Sequence, residues 1–427
     1  MPSERFSILV MTDMRRTHAN TSLDHIDAFK EYSRNDVYYY DPLGRVSSRY
    51  LELDEFDVLV VHYSLMVLSD YYLHPFFREK LSKYQGLKIQ FIQDEYRQVE
   101  VMCRRIREVG THILFSLYPP EKLELVYSQE RLPGVKKYPT LAGYVPEKLL
   151  RQSLVPLAQR PLDIGYRGRE VPYWLGHLGQ DKVNIVKGFH RHIEGWGLRH
   201  DVSCKEEDRI YGPDWPRFIE SCKAMLGTES GSSITDFDGG AQKRVGNYLS
   251  KQPSATYEEV HQAVLGEYEG NVVLNCISPR AFETAALRTA MVLFPGEYSG
   301  LLKPWVHYIP LAKDFSNFSE VVRSIKDHDL LAALVDRAYA DLVASELYSY
   351  RAFVEEFDKI VERHATHHGS KSKVAYGQAM QEPVPKPALG WCSRLKNLME
   401  RAGVPPWLIR KFKRASRLVP GSPRDSA

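Results

Sequence analysis

The sequence lacks the two glycine-rich loops that mark the commonest nucleotide folds. Its first apolar run, residues 6–12 (FSILVMT), passes into Asp13-Met14-Arg15-Arg16 rather than G-x-G-x-x-G, and no G-x-x-x-x-G-K-[ST] occurs. Hydride transfer on a nicotinamide or flavin, and phosphoryl transfer on a P-loop, are therefore disfavoured. Cysteine is scarce: Cys103, Cys204, Cys222, Cys276 and Cys392 are odd in number and form no C-x-x-C pair, so neither a disulfide framework nor a cysteine zinc site is indicated. Long apolar runs are missing too. Residues 6–11 are too few for a signal-peptide core, and nothing reaches the roughly 20 apolar residues of a spanning helix. These absences predict a cytoplasmic protein. No repeat is present, and a net charge of +3 does not call for a nucleic-acid partner.

What is present suits two domains: 427 residues exceed one ordinary core, and 43% are hydrophobic. Short apolar stretches at residues 6–12, 36–40, 56–61, 87–92 and 112–117 alternate with amphipathic helical stretches at 22–32, 76–84 and 99–109. That alternation predicts a doubly wound α/β domain over residues 1–150. After a broken, polar connection at 150–161, the pattern restarts with strands at 162–166 and 198–204, a long helix at 181–196 and a strand at 222–227. The second domain is expected to span 162–364. Residues 369–389, with their Pro-Val-Pro-Lys-Pro run, read as a flexible linker, and 390–420 as a basic helical tail. Residues 391–417 hold eight Lys or Arg and one acid, so their charge of about +7 leaves the rest at about −4. Trp391, Leu395, Leu398, Met399 and Ala402 share one helical face, and Leu408, Phe412, Ala415 and Val419 another, a pattern fitted to an anionic membrane surface or to a protein partner.

The most informative stretch is 271–296. Residues 271–277 (NVVLNCI) read as a buried strand, Ser278 as a helix N-cap, Pro279 as the first helical residue, and 289–294 as a second strand of a parallel sheet. The loop before such a helix offers N–H groups and a positive dipole end to a phosphate. Arg280 would add a cation there, and Glu283 a carboxylate able to accept hydrogen bonds from a ribose diol. His364, His367 and His368 lie at a helix end, where capping rather than metal binding is expected.

Ser278-Pro279-Arg280-Ala281-Phe282-Glu283, followed by an apolar strand, Tyr298-Ser299-Gly300-Leu301 and His307-Tyr308-Ile309-Pro310, resembles the donor half of the group 1 (family 4-like) glycosyltransferases, nearest the spore-maturation-like branch. The resemblance covers residues 270–364. It implies a GT-B fold of two Rossmann-like domains facing across a cleft, with a nucleotide-diphosphate sugar as donor, a carbohydrate or lipid-linked acceptor, retention of configuration, and neither metal nor cofactor. By the same resemblance Glu283 holds the donor ribose, and Arg167 or Arg169, with Lys182, the pyrophosphate. Backbone N–H groups at Ser299 and Gly300 are expected on the diphosphate. The family's first glutamate is missing, because Asn275 stands in its place; Glu229, on a small-residue loop, would face the sugar if residues 236–267 are an insertion. The first domain would take the acceptor through Asp13, Arg15, Asp94 and Tyr118, with His62, delivered from a buried strand, as its catalytic candidate. A nucleotide-sugar epimerase on the same fold and a non-catalytic scaffold are the rival readings.

Overall fold

Runs such as Ser7–Met11 and Val58–Val61 are buried along their whole length, which requires a sheet covered on both faces. The computed structural model, which describes residues 5–14, 20–43, 51–151 and 153–367, places them in one. The chain runs β1 (Ser7–Met11), α1 (Asn20–Tyr32), β2 (Asp36–Tyr40), β3 (Val58–Val61), α2 (Pro75–Lys83), β4 (Leu87–Phe91), α3 (Val99–Val109), β5 (Ile113–Ser116), α4 (Pro120–Val126), β6 (Lys136–Pro139) and α5 (Glu147–Leu150). Their six strands are parallel in the order β2-β1-β3-β4-β5-β6.

A second lobe follows with β7 (Leu162–Arg167), α6 (Gly176–His192), β8 (His200–Ser203), α7 (Asp214–Ser221), β9 (Cys222–Gly227), β10 (Ser230–Ser232), α8 (Gly240–Lys251), α9 (Tyr257–Val260), β11 (Leu274–Cys276), α10 (Pro279–Ala286), β12 (Ala290–Leu293), β13 (Ile309–Pro310), α11 (Phe318–Lys326), α12 (His328–Tyr339) and α13 (Tyr350–His364). Five of these strands are parallel in the order β13-β12-β9-β7-β8. The fold is thus α/β with two doubly wound parallel sheets.

Alternate residues of each strand feed opposite cores. Leu9, Leu59 and Leu114 meet α2 and α3, whereas Ile8, Val58 and Ile113 meet Phe29 of α1 and Phe353, Phe357 and Val361 of α13. The last helix therefore packs on the first sheet although it follows the second in sequence. Its Asp358, 1% exposed, fixes it there by accepting from Ser33 Oγ (2.8 Å), Arg34 N (2.9 Å) and Asn35 Nδ2 (3.0 Å) at the turn after α1. The second sheet is covered by α6, α11 and α12 on one side and by α7 and α10 on the other.

One sequence expectation is corrected. Residues 271–277 do not open a parallel strand-helix-strand unit: β11 pairs antiparallel with β10 in a separate ribbon, while β12 lies between β9 and β13. The chain leaves β9 into β10, makes a detour through α8 and α9, and returns beside β10. Close approach demands Gly231 there, since its φ is +119° and a Cβ would lie 1.9 Å from Leu274 O. Among the described residues no helix is long and apolar enough to cross a membrane. The linker and the basic tail lie outside the described residues.

Candidate active site

Each parallel sheet reverses its strand order beside its first strand, and ligands of such sheets meet the carboxyl ends at that point. In the second sheet the point falls between β7 and β9. A cavity of about 320 Å³ opens there, lined by the end of β7, the end of β9, Lys182 of α6, Trp215 of α7 and the start of α10, with Asn20 and Thr21 of the first lobe at its far wall. Arg167, Arg169, Lys182, Ser278, Arg280 and Glu283 all line it.

Three cations converge. Arg280 is held over Tyr166 (4.8 Å) and Trp215 (5.2 Å) and donates from Nη2 to Arg167 O at 2.5 Å, while its Nε is buried without a hydrogen-bond partner. Lys182 forms no side-chain hydrogen bond or ion pair among the described residues. Burial lowers its pKa; Cys276 and Asp94 oppose that shift, and Arg169 and Arg280 add to it. Arg169 is exposed at the rim. Arg167 is otherwise committed. It donates to Asp208 O (2.9 Å), Tyr166 O (3.0 Å), Asp201 O (3.1 Å) and Asp201 Oδ2 (2.6 Å), and lies over Phe218, so its guanidinium braces β7 against β8. Of the two arginines, Arg169 is the one left to meet an anion.

Ser278 caps α10, accepting weakly from Arg280 N at 3.4 Å, and its carbonyl accepts from Ala281 N at 2.9 Å. The first-turn amides are thus partly spent within the turn, and the helix contributes chiefly its dipole and the serine hydroxyl. One turn on, Glu283 is 6% exposed and accepts from Trp215 Nε1 at 2.8 Å. Burial pushes its pKa up to about 7, against the Trp215 hydrogen bond and the charge of Arg280. The stretch 209–215 was missed from sequence. Arg209 stacks on Tyr211 at 4.7 Å and Trp215 holds Glu283; two aromatics flanking Gly212-Pro213 were the available signal.

Other expected residues sit elsewhere. His62 is 0% exposed: its Nδ1 accepts from Ser64 N at 3.1 Å and its Nε2 lies 3.0 Å from His25 Nδ1, a ring that burial keeps neutral with a pKa of about 3. With both nitrogens engaged and no exposure, it is placed in the core and does not line the cavity. Tyr118 is likewise 0% exposed, bonds Thr235 Oγ1 at 2.5 Å across the lobes and does not line the cavity. Ser299 Oγ accepts from Ile277 N at 3.1 Å and Gly300 N donates to Glu297 O at 2.7 Å; neither lines the cavity. Asp13 is buried after β1 with its N–H on Ser64 Oγ at 3.0 Å. Asp94, exposed after β4 and in contact with Tyr96 Oη at 2.8 Å, stands closer to the site, within electrostatic reach of Lys182. Arg15 lies outside the described residues.

Glu229 does not line the cavity either. Its Oε1 accepts from Glu297 N (2.8 Å), Tyr298 N (2.7 Å) and, weakly, Asn275 Nδ2 (3.4 Å), pinning the turn after β12. Glu229→Ala would leave two N–H groups unpaired and is expected to cost about 2–4 kcal/mol. Glu229→Gln, which keeps an acceptor oxygen, should cost much less. Equal melting temperatures for the two variants would show that this anchoring does not matter.

Two doubly wound parallel sheets, a cleft at the switch point of the second and a last helix returned to the first define the GT-B class of fold. Solved structures agree. The chain is similar to an alpha-glucosyltransferase in complex with UDP and a 13-mer DNA containing a central A:G mismatch, at TM-score 0.52 and 11% identity over 83% of this chain and 100% of that one. It is also similar to an alpha-glucosyltransferase with UDP and a 13-mer DNA containing a HMU base (0.51, 11%, 84% and 100%), and to one with UDP-glucose and DNA containing an abasic site (0.50, 12%, 84% and 99%). At such identity the likeness is one of fold. No protein-family model matches the sequence, and no curated protein does.

Proposed function

We propose that the protein is a glycosyltransferase that moves a sugar from a nucleotide-diphosphate donor to a carbohydrate or lipid-linked acceptor. The observation that carries this reading is the convergence of Arg169, Lys182, Arg280 and the α10 N-terminus on one cavity, with the Glu283 carboxyl beyond them. A leaving diphosphate gathers negative charge, and fixed cations in a partly dry cleft stabilise it without a metal at that point. In this reading the Glu283 carboxyl accepts hydrogen bonds from the donor's ribose diol. Retention of configuration, the spore-maturation-like branch and docking of the tail on an anionic membrane from the cytoplasmic side belong to the same proposal.

UDP and UDP-glucose are the ligands named for the structural neighbours, so uridine nucleotides are the first to try. In a thermal-shift series with UDP, GDP, dTDP and ADP, one nucleotide at about a hundred times its Kd should stabilise the fold by about 2.7 kcal/mol. Glu283→Ala should lose that response. Silence toward all four would remove the donor site. A scaffold reading draws on one observation, the engagement of Glu229 by backbone amides; it predicts nucleotide binding with no turnover for any acceptor.

A further inference from the structure

A second cluster lies away from the cleft. His177 is in the first turn of α6, His261 follows α9, and Glu269 lies just before β10's partner strand begins. Their ligand atoms all fall within 4.8 Å of one another, with His261 Nε2 at 3.3 Å from Glu269 Oε2 and the two imidazole centroids 4.3 Å apart. Two buried atoms here have no well-formed hydrogen bond and face Glu269: His261 Nε2 and the hydroxyl of Tyr257, whose ring rests on both imidazoles at 5.4 and 5.6 Å. Glu269 faces all three side chains, and its two oxygens share His177 N at 3.3 Å each. The backbone also departs from regular geometry, because His261–Leu265 is a π-helical turn, a costly local arrangement often retained where it aims a functional side chain.

We propose that His177, His261 and Glu269 bind a divalent transition-metal ion of zinc-like preference, which pins the start of α6 to the detour between β10 and β11. Two imidazoles and one carboxylate form a borderline donor set suited to Zn²⁺, whereas Ca²⁺ and Mg²⁺ prefer oxygen alone. Drawing the three ligands to about 2.0–2.2 Å from an ion needs a modest closure, which the exposed His177 ring can supply. The two elements are already pressed together: a Cβ on Gly176 would lie 2.4 Å from Ser233 Oγ and 2.7 Å from Glu269 Oε2. None of the three ligands lines the donor cavity. The ion therefore acts on the frame, and through α6 on the placement of Lys182. This site departs from the expectation of no metal, since three residues so far apart in sequence form no motif.

The test uses the full chain, stripped with a chelator and titrated with ZnCl2 by calorimetry, and with Co²⁺ for its visible d–d absorption. One ion per chain should bind, the melting temperature should rise, and Co²⁺ should show the bands of a low-coordinate site. His177→Ala, at an exposed position the fold tolerates, should weaken Zn²⁺ by more than the roughly 10–100-fold that loss of an outer-shell partner costs. Glu269→Gln should do the same, while His364→Ala and His367→Ala should change nothing. No bound ion, or binding that His177→Ala leaves intact, overturns the site whether or not the cleft binds nucleotide.

Discussion

Replacing Lys182 by methionine is expected to lower kcat/KM for the nucleotide sugar by about 10²–10³-fold, the usual loss when one fixed donor to developing charge is removed. The same change should leave the free protein at least as stable as before. The two signs follow from one geometry. Lys182 is half-buried and feels the charges of Arg169 and Arg280 without an ion-pair partner among the described residues, so without a bound anion its charge is a cost. A diphosphate entering the cavity turns that cost into attraction. Methionine keeps the apolar stem that packs along α6 and removes only the ammonium. Steady-state kinetics beside thermal unfolding checks both halves. Lower stability with unchanged kcat/KM would make Lys182 a structural residue and leave the diphosphate to Arg169 and Arg280.

The elements that were legible from sequence are those whose cause is local. Residues 99–109 and 222–227 carry their periodicity in themselves, and the Ser278-Pro279 start of α10 is a capping signal that needs no distant partner. The edge strand β6, Lys-Lys-Tyr-Pro with both ends exposed, has no such signal, and neither has the antiparallel pairing of β11, which depends on the chain returning after α8 and α9. Side-chain surroundings depend on distant partners in the same way. His62 meets His25 from α1, Tyr118 meets Thr235 from the other lobe, and Glu229 meets a turn after β12. Arg167 and Arg169 are indistinguishable in sequence and differ only because Asp201 and Asp208 claim the first. The α10 side of the cleft is compact in sequence, because a helix start, a cation in its first turn and a carboxylate one turn in are encoded within a few residues.

Glu283 should make donor binding depend on pH. In the free protein burial lifts its pKa from 4.5 to about 7, so between these values the folded state holds a proton that the unfolded chain has lost. The stability this confers is fully present below pH 4.5 and is lost as pH rises through about 7, an effect of roughly 3 kcal/mol at about 1.36 kcal/mol per unit. Ribose hydroxyls donate to the carboxylate and so favour its charged form, which means that donor binding expels this proton. Affinity for the nucleotide sugar should then climb about tenfold per pH unit on the acid side and flatten above pH 7. A nucleotide sugar is the right ligand, because a terminal phosphate would add its own titration near pH 6. Glu283→Gln should abolish the slope, weaken binding at pH 7.5 by about 10–100-fold through loss of charge-assisted hydrogen bonds, and stabilise the free protein at that pH. The gain in stability matters to the interpretation, since it separates lost binding from lost folding. Calorimetric titrations from pH 5.5 to 8 on both proteins decide it: a slope that survives in Glu283→Gln would assign the proton to another group and take the ribose from Glu283.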